Sequence, residues 1–284
     1  MVDVVTIAVQ AVFGIALLSI AALGLAIIFG MMNVINLAHG AFILIGAYVT
    51  FLVTSSGLSL WLAFLVAPLV VGAVGLVVER TVIHRLYERP LDTLLATWGI
   101  SLVIQELVKV LFGTGAKSVS NPLREPIVLL GASFSAYRVF LTALAVGLIG
   151  LTYVLFKHTD FGIKSRAVIQ NEEMADTLGT NVRRIYMLTF TYGAALAGVA
   201  GAAIAPILSV DPNTGLGYLV QSFFVVILGG TGSILAGTLG GAAVIGGAAS
   251  TLSFFSSQTF AQTVVFALVI VLIRLKPQGL FGGT

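Results

Sequence analysis

Few residues in this chain could do covalent chemistry, and their placement argues against it. The 284 residues include three histidines, His39, His84 and His158, and no cysteine. Disulfides, thiolate nucleophiles and cysteine-ligated metals are therefore excluded, and the histidines are too few for a metal centre. No Gly-Lys-Ser/Thr sequence occurs, so ATP is not held by a Walker A loop. Ser233 lies in a run of small residues, while His84 and His158 belong to basic loops, which leaves no defensible Ser/His pair. The expectation is a protein that is not an enzyme and takes neither metal nor cofactor.

What remains is neutral and polar. Asn33, Asn36, His39, Thr97, Trp98, Gln221 and Ser222 lie within apolar stretches and are the candidate lining of a solute path. Neutral donors and acceptors suit a neutral or zwitterionic small solute. For Asn33 and Asn36 the competing reading is hydrogen bonding to nearby broken backbone. For Trp98 it is a lipid-facing or packed position away from the interfacial belts. Ion-coupled carriers place Asp, Glu or His in their spans. Between Arg184 and Arg274, however, the one charged residue is Asp211, expected in an outer loop with Pro212–Gly215. Glu106 and Lys109 are spaced to pair at the outer end of a helix.

The elements that must hold these residues are membrane spans. Only 9% of residues are charged, and residues 4–78 contain no Asp, Glu, Lys or Arg. Soluble domains carry charge on about a quarter of their residues. Such a chain can be solvated by a bilayer and not by water, which excludes a soluble enzyme and a nucleic-acid binder. The first apolar run has no preceding Lys or Arg and reads as a true span, not a cleaved leader. Apolar runs predict spans near 5–30, 36–54, 59–78, 93–112, 138–156, 186–207, 217–229, 235–253 and 259–274. The predicted fold is an all-α, polytopic transmembrane helix bundle of eight or nine segments, read as a single domain over residues 1–284. Two of the segments are expected to be broken or re-entrant, at Gly30–Gly40 and Gly229–Ser233, because backbone of that kind survives at depth only against protein or water. Small-residue stretches after both breaks hint at an internal duplication.

Charge placement predicts orientation. Arg80, Arg85 and Arg89, then Lys157, Lys164, Arg166, Arg183 and Arg184, then Arg274 and Lys276 fall on one side of these spans. Lys109, Lys117, Arg124 and Arg138 fall near the other. Basic loops stay inside, so the N-terminus is expected outside and the C-terminus in the cytoplasm.

The loop from Lys157 to Arg184 is the most informative. Asn171 can cap a helix whose first turn holds Glu172 and Glu173, with Asp176 behind, and acids there suit the positive end of the helix. Met174 and Leu178 share a face, and Gly179 can stop the helix. Anionic lipid would repel the three acids, so this short amphipathic helix is expected to meet a protein partner.

Several segments resemble permease subunits of ABC importers of the branched-chain amino acid and amide class. They are GLAIIFGMMNVINLAHGAFILIGAY (24–48), RAVIQNEEMADTLGTNVRRIYMLTF (166–190), LGGTGS (228–233) and KPQGLFG (276–282). The resemblance implies a multi-helix permease in the inner membrane. Its implied partners are a second homologous permease subunit, two cytoplasmic ATP-binding subunits and a periplasmic solute-binding protein. It implies ATPase coupling through residues 157–184, at Glu172, Glu173, Ala175, Asp176, Gly179, Arg183 and Arg184. Glu173–Gly179 is similar to a Glu-Ala-Ala-x3-Gly coupling motif with Met174 departing from it, and the motif's later hydrophobic–Leu-Pro element is absent. Within the class, LATWGISLVIQ (95–105), AVIQNEEMA (167–175) and GYLVQSFFVVILGG (217–230) look more like urea permeases, so the solute is expected to be urea or a short amide. A branched-chain amino acid permease is the alternative within the class, and a passive urea or amide channel or a secondary carrier the alternatives outside it.

Overall fold

The computed structural model describes residues 2–281 except Glu88, Arg124, Leu130, Gly131, Thr231 and Pro277. Arg124 of the orientation argument, and Thr231, Pro277 and Gly282 of the quoted segments, thus lie outside the described residues. The chain runs α1 (Val2–Met32), α2 (His39–Ser55), α3 (Leu60–Thr81) and α4 (Pro90–Phe112). A small hairpin follows, β1 (Pro126–Leu129) and β2 (Ala132–Ser135), antiparallel with Ile127 opposite Phe134. Next come α5 (Ala136–His158), α6 (Asp160–Gln170), α7 (Glu172–Thr177), α8 (Val182–Ile204) and α9 (Thr214–Gly229). The last elements are α10 (Ile234–Ala242), a π turn (Ala243–Gly247), α11 (Ala248–Phe255) and α12 (Gln258–Leu275).

Among the described residues, seven helical segments are long and apolar enough to cross a membrane, and α2 and α9 are shorter apolar helices. The polytopic helical bundle is as predicted. The hairpin is an addition that period reading missed, because its four-residue strands are too short to register.

Helices α1 and α8 form the centre. α1 is apolar on every side, the pattern of a helix enclosed all round, and Ile20, Leu23, Ile27 and Ile28 are buried in the core. α8 meets α1 through small residues. A Cβ on Gly193 would lie 2.7 Å from the Gly24 carbonyl oxygen, so these backbones touch and neither position admits a side chain. Phe190 of α8 packs edge-on against Phe42 of α2, their centroids 6.1 Å apart.

Both short helices begin at mid-depth. Gly193 is the middle residue of α8, and the imidazole of His39, at the start of α2, sits beside it at Gly24. Residues 33–38 therefore double back from the end of α1 into the middle of the bundle. α9 does the same from the opposite face. Its first turn crosses the first turn of α2, where a Cβ on Gly215 would fall 2.0 Å from the Gly40 carbonyl oxygen.

This relocates the second break. Gly229–Ser233 was expected at membrane depth, but the N–H groups of Leu280 and Phe281, just beyond α12, bond to the Leu228 and Gly229 carbonyls at 2.7 and 3.0 Å. Gly30, near the end of α1, packs on Ile234. The turn thus lies where α1 and α12 end, at a membrane face. The segment that enters the membrane is 205–213, and the Asp211–Gly215 stretch expected in an outer loop leads into it. Gly215 makes that path available, since only a residue without Cβ lets the two helix starts meet.

Candidate translocation path and coupling site

Residues 33–38 are held by a small set of polar groups. Asn33 ends α1 with φ 51°, a left-handed conformation that Asn tolerates, and it is exposed. Asn36 is buried, and its Oδ1 accepts the Ala38 N–H at 3.1 Å. Asn36 thus bonds to the backbone of the broken segment, whereas Asn33 meets it through its main-chain conformation. Thr97 Oγ1 on α4 accepts the Leu37 N–H at 3.1 Å and lies 3.3 Å from the Ile35 carbonyl, clamping the segment to a spanning helix.

His39 is fully buried with Nε2 2.8 Å from the Ala21 carbonyl. A carbonyl can only accept, so Nε2 carries the proton and Nδ1 is an acceptor facing no protein donor. The Asn36 Nδ2 and Ser222 Oγ atoms are likewise buried without a partner among the described residues. Each such atom costs about 1–3 kcal/mol when it meets nothing. Asn36 lies on the first segment that enters the membrane, and His39 and Ser222 on the helices α2 and α9 that follow the two segments, where a solute or water could satisfy them. Trp98 does not join them; it is 54% exposed on the outer side of α4.

Gln221 belongs to a different feature, a cleft of about 160 Å³ between α1, α9, the π turn and α12. Its polar lining is Tyr218, Gln221, Ser250, Ser253, Gln258 and Gln262, with no charged residue. Sequence reading singled out only Gln221 here. The others sit on three separate helices, and nothing in their spacing connects them.

The coupling loop folds as its residues predict. Asn171 Oδ1 accepts the Met174 N–H at 2.8 Å, capping α7. Ala175 is buried, Met174 and Leu178 project outward, and Gly179 with φ +85° stops the helix. Asn181 then caps α8 by accepting the Arg184 N–H at 2.9 Å. Glu172, Glu173, Asp176 and Arg183 line an open groove of about 640 Å³ together with His84 and Tyr87.

Sequence reading did not find the link from this groove into the bundle. Glu79 is buried near the end of α3 and accepts a short hydrogen bond from the Tyr87 hydroxyl. The Tyr87 ring packs edge-on against Tyr186 at 5.0 Å, and the Tyr186 hydroxyl donates to Glu172 Oε2 at 2.9 Å. Burial first, then the Glu79 hydrogen bond and charge, hold the Tyr87 phenol above its ordinary pKa, so it remains a donor. An acid one turn from the end of a span was the available signal.

Comparison with known proteins agrees with this architecture. Residues 7–273 match the family described as branched-chain amino acid transport system / permease component. The chain belongs to this family. It is a multi-pass membrane permease component and not an enzyme. It is 29% identical over 280 residues to the high-affinity branched-chain amino acid transport system permease protein LivH of Salmonella typhimurium, covering 92% of this chain and 90% of that protein. A probable branched-chain amino acid transport permease protein of Methanocaldococcus jannaschii is 27% identical, with 94% and 89% covered. The ribose import permease protein RbsC of Bacillus subtilis is 30% identical over 131 residues, 44% of this chain and 41% of that protein. No solved structure matches.

Proposed function

We propose that this permease carries branched-chain amino acids across an inner membrane as one subunit of a binding-protein-dependent ABC importer. The observation behind the reading is similarity along nearly the whole chain to permeases named for branched-chain amino acid transport in bacteria and an archaeon. The expectation of urea or a short amide gains nothing from these relatives, and the branched-chain alternative replaces it. The proposed assembly pairs this chain with a second homologous permease, two cytoplasmic ATP-binding subunits and an external solute-binding protein.

In this reading the solute passes the segments that enter the membrane at 33–38 and 205–213, beside which Asn36, His39 of α2, Thr97 of α4 and Ser222 of α9 supply neutral hydrogen-bonding groups. Asn33 and Trp98 stand aside, as helix stop and exposed ring. α7 is the coupling element, with Glu172, Glu173, Ala175, Asp176 and Gly179 shaping it and Arg183 and Arg184 at the start of α8. Movement of the ATPases pulls on α7 and reaches the bundle through Tyr186, Tyr87 and Glu79. The loops rich in Lys and Arg, with α6 and α7, face the cytoplasm.

Uptake into proteoliposomes holding the assembled importer tests the proposal. ATP-dependent leucine and valine uptake that requires the binding protein is expected. Urea or acetamide uptake without ATP would instead establish the passive channel. Glu173→Pro should abolish uptake and loosen ATPase association while the spans stay folded; wild-type uptake in that variant removes α7 from coupling.

A further inference from the structure

The cleft between α1, α9, the π turn and α12 has a chemistry that packing alone does not account for. The Tyr218 hydroxyl and the carboxamides of Gln221, Gln258 and Gln262 line it, and none of the four bonds to another described residue. Gln258 stands at the exposed mouth and Tyr218, Gln221 and Gln262 are half-buried, so all four are free to bond to whatever enters the cleft.

The apolar part of the lining is Phe13, Leu17 and Leu18 of α1 with Val265 and Phe266 of α12. A lipid chain would satisfy that part and strand the carboxamides. A wholly polar solute would do the reverse. The volume, about 160 Å³, is close to the ~150 Å³ of an engineered cavity that admits benzene, so a single small molecule fits.

Two backbone features shape the cleft. Gly14 brings α1 against α11, where a Cβ would lie 1.9 Å from Ser250 Oγ. The π turn Ala243–Gly247 adds a residue to the helix, which rotates all that follows by about 100°. Ser250 and Ser253 line the cleft in that rotated register. π turns of this kind are frequent at functional sites. The cleft opens in the half of the bundle remote from α6 and α7, beside the N-terminal turns of α9 and α12.

We propose that this cleft is a binding pocket for a small solute with an uncharged or zwitterionic head and an aliphatic group, the head on Tyr218, Gln221, Gln258 and Gln262 and the aliphatic group on α1 and α12. The absence of charged lining rejects solutes of net charge. The pocket rests on the transport reading above and gives that substrate a place in the fold.

The assembled importer in proteoliposomes supplies the test, with leucine, valine, urea and acetamide as probes. Gln221→Leu and Gln262→Leu are each expected to lower leucine uptake at least tenfold while binding-protein-stimulated ATP hydrolysis stays within twofold of wild type. Wild-type uptake in both variants overturns the pocket. Because a variant could fail to assemble, Gln262→Cys in this cysteine-free chain gives an independent measurement. Leucine should slow its modification by a thiosulfonate reagent at least threefold and urea should not; equal rates with and without leucine overturn the pocket. A wild-type importer that carries urea or acetamide and no aliphatic amino acid overturns the proposed substrate. The pocket's aliphatic half falls with it, and the ABC assignment stands.

Discussion

Gly40 and Gly215 meet backbone to backbone where α2 and α9 cross, and no other residue type fits either position. Gly215→Ala would drive a methyl group into the Gly40 carbonyl, and overpacking of this kind costs about 1–3 kcal/mol. The expected outcome is a lowered melting temperature in detergent with most transport lost, whereas Gly217→Ala, where a Cβ meets open space, should leave both unchanged. Asn171 is a milder case. Its side chain satisfies one N–H at the start of α7, and Asn171→Ala should cost about 1 kcal/mol locally. Hydrogen exchange should show faster opening of α7 with the spans unaffected. Both the cap and the Gly179 stop were legible in the sequence because they depend on neighbours within one turn. The Gly40–Gly215 contact was not, since it joins residues 175 positions apart that carry no pattern in common.

At the scale of elements, the connection from α7 to α3 carries the next prediction. Tyr87 holds Glu79 on one side and packs on Tyr186 on the other, and Tyr186 holds Glu172. Tyr87→Phe keeps the ring packing and removes the bond to a buried acid, which leaves that carboxyl short of a donor. Solute-stimulated ATP hydrolysis should fall several-fold while ATPase subunits still co-purify. Unchanged stimulation would separate α3 from the coupling route. The cap, acids and stop of α7 could be read from local spacing alone. Its route into the membrane could not, because Glu79, Tyr87 and Tyr186 sit on three segments that only folding aligns.

For the whole molecule, the open question is orientation, and a chain without cysteine is suited to answer it. Ser56→Cys, in the turn between α2 and α3, and Leu178→Cys, at the end of α7, both lie at exposed positions. An impermeant maleimide added to intact cells should label the first and spare the second; the reverse pattern would invert the topology. The polytopic helical bundle, the lack of covalent chemistry and the cap and stop of α7 were all written in composition and local spacing. A low-charge chain can be solvated only by lipid, and helix caps and stops act within a turn or two. Tertiary structure decided where the second re-entry lies and which polar groups converge. Gly229–Ser233 reads as a break at depth yet is drawn to a membrane face by the chain after α12, and 205–213 reads as a loop yet turns inward to Gly40. Six polar residues from α9, α11 and α12 close around one cleft. Contacts of that kind depend on where whole helices pack, and backbone approach through glycine leaves no periodic trace in the sequence.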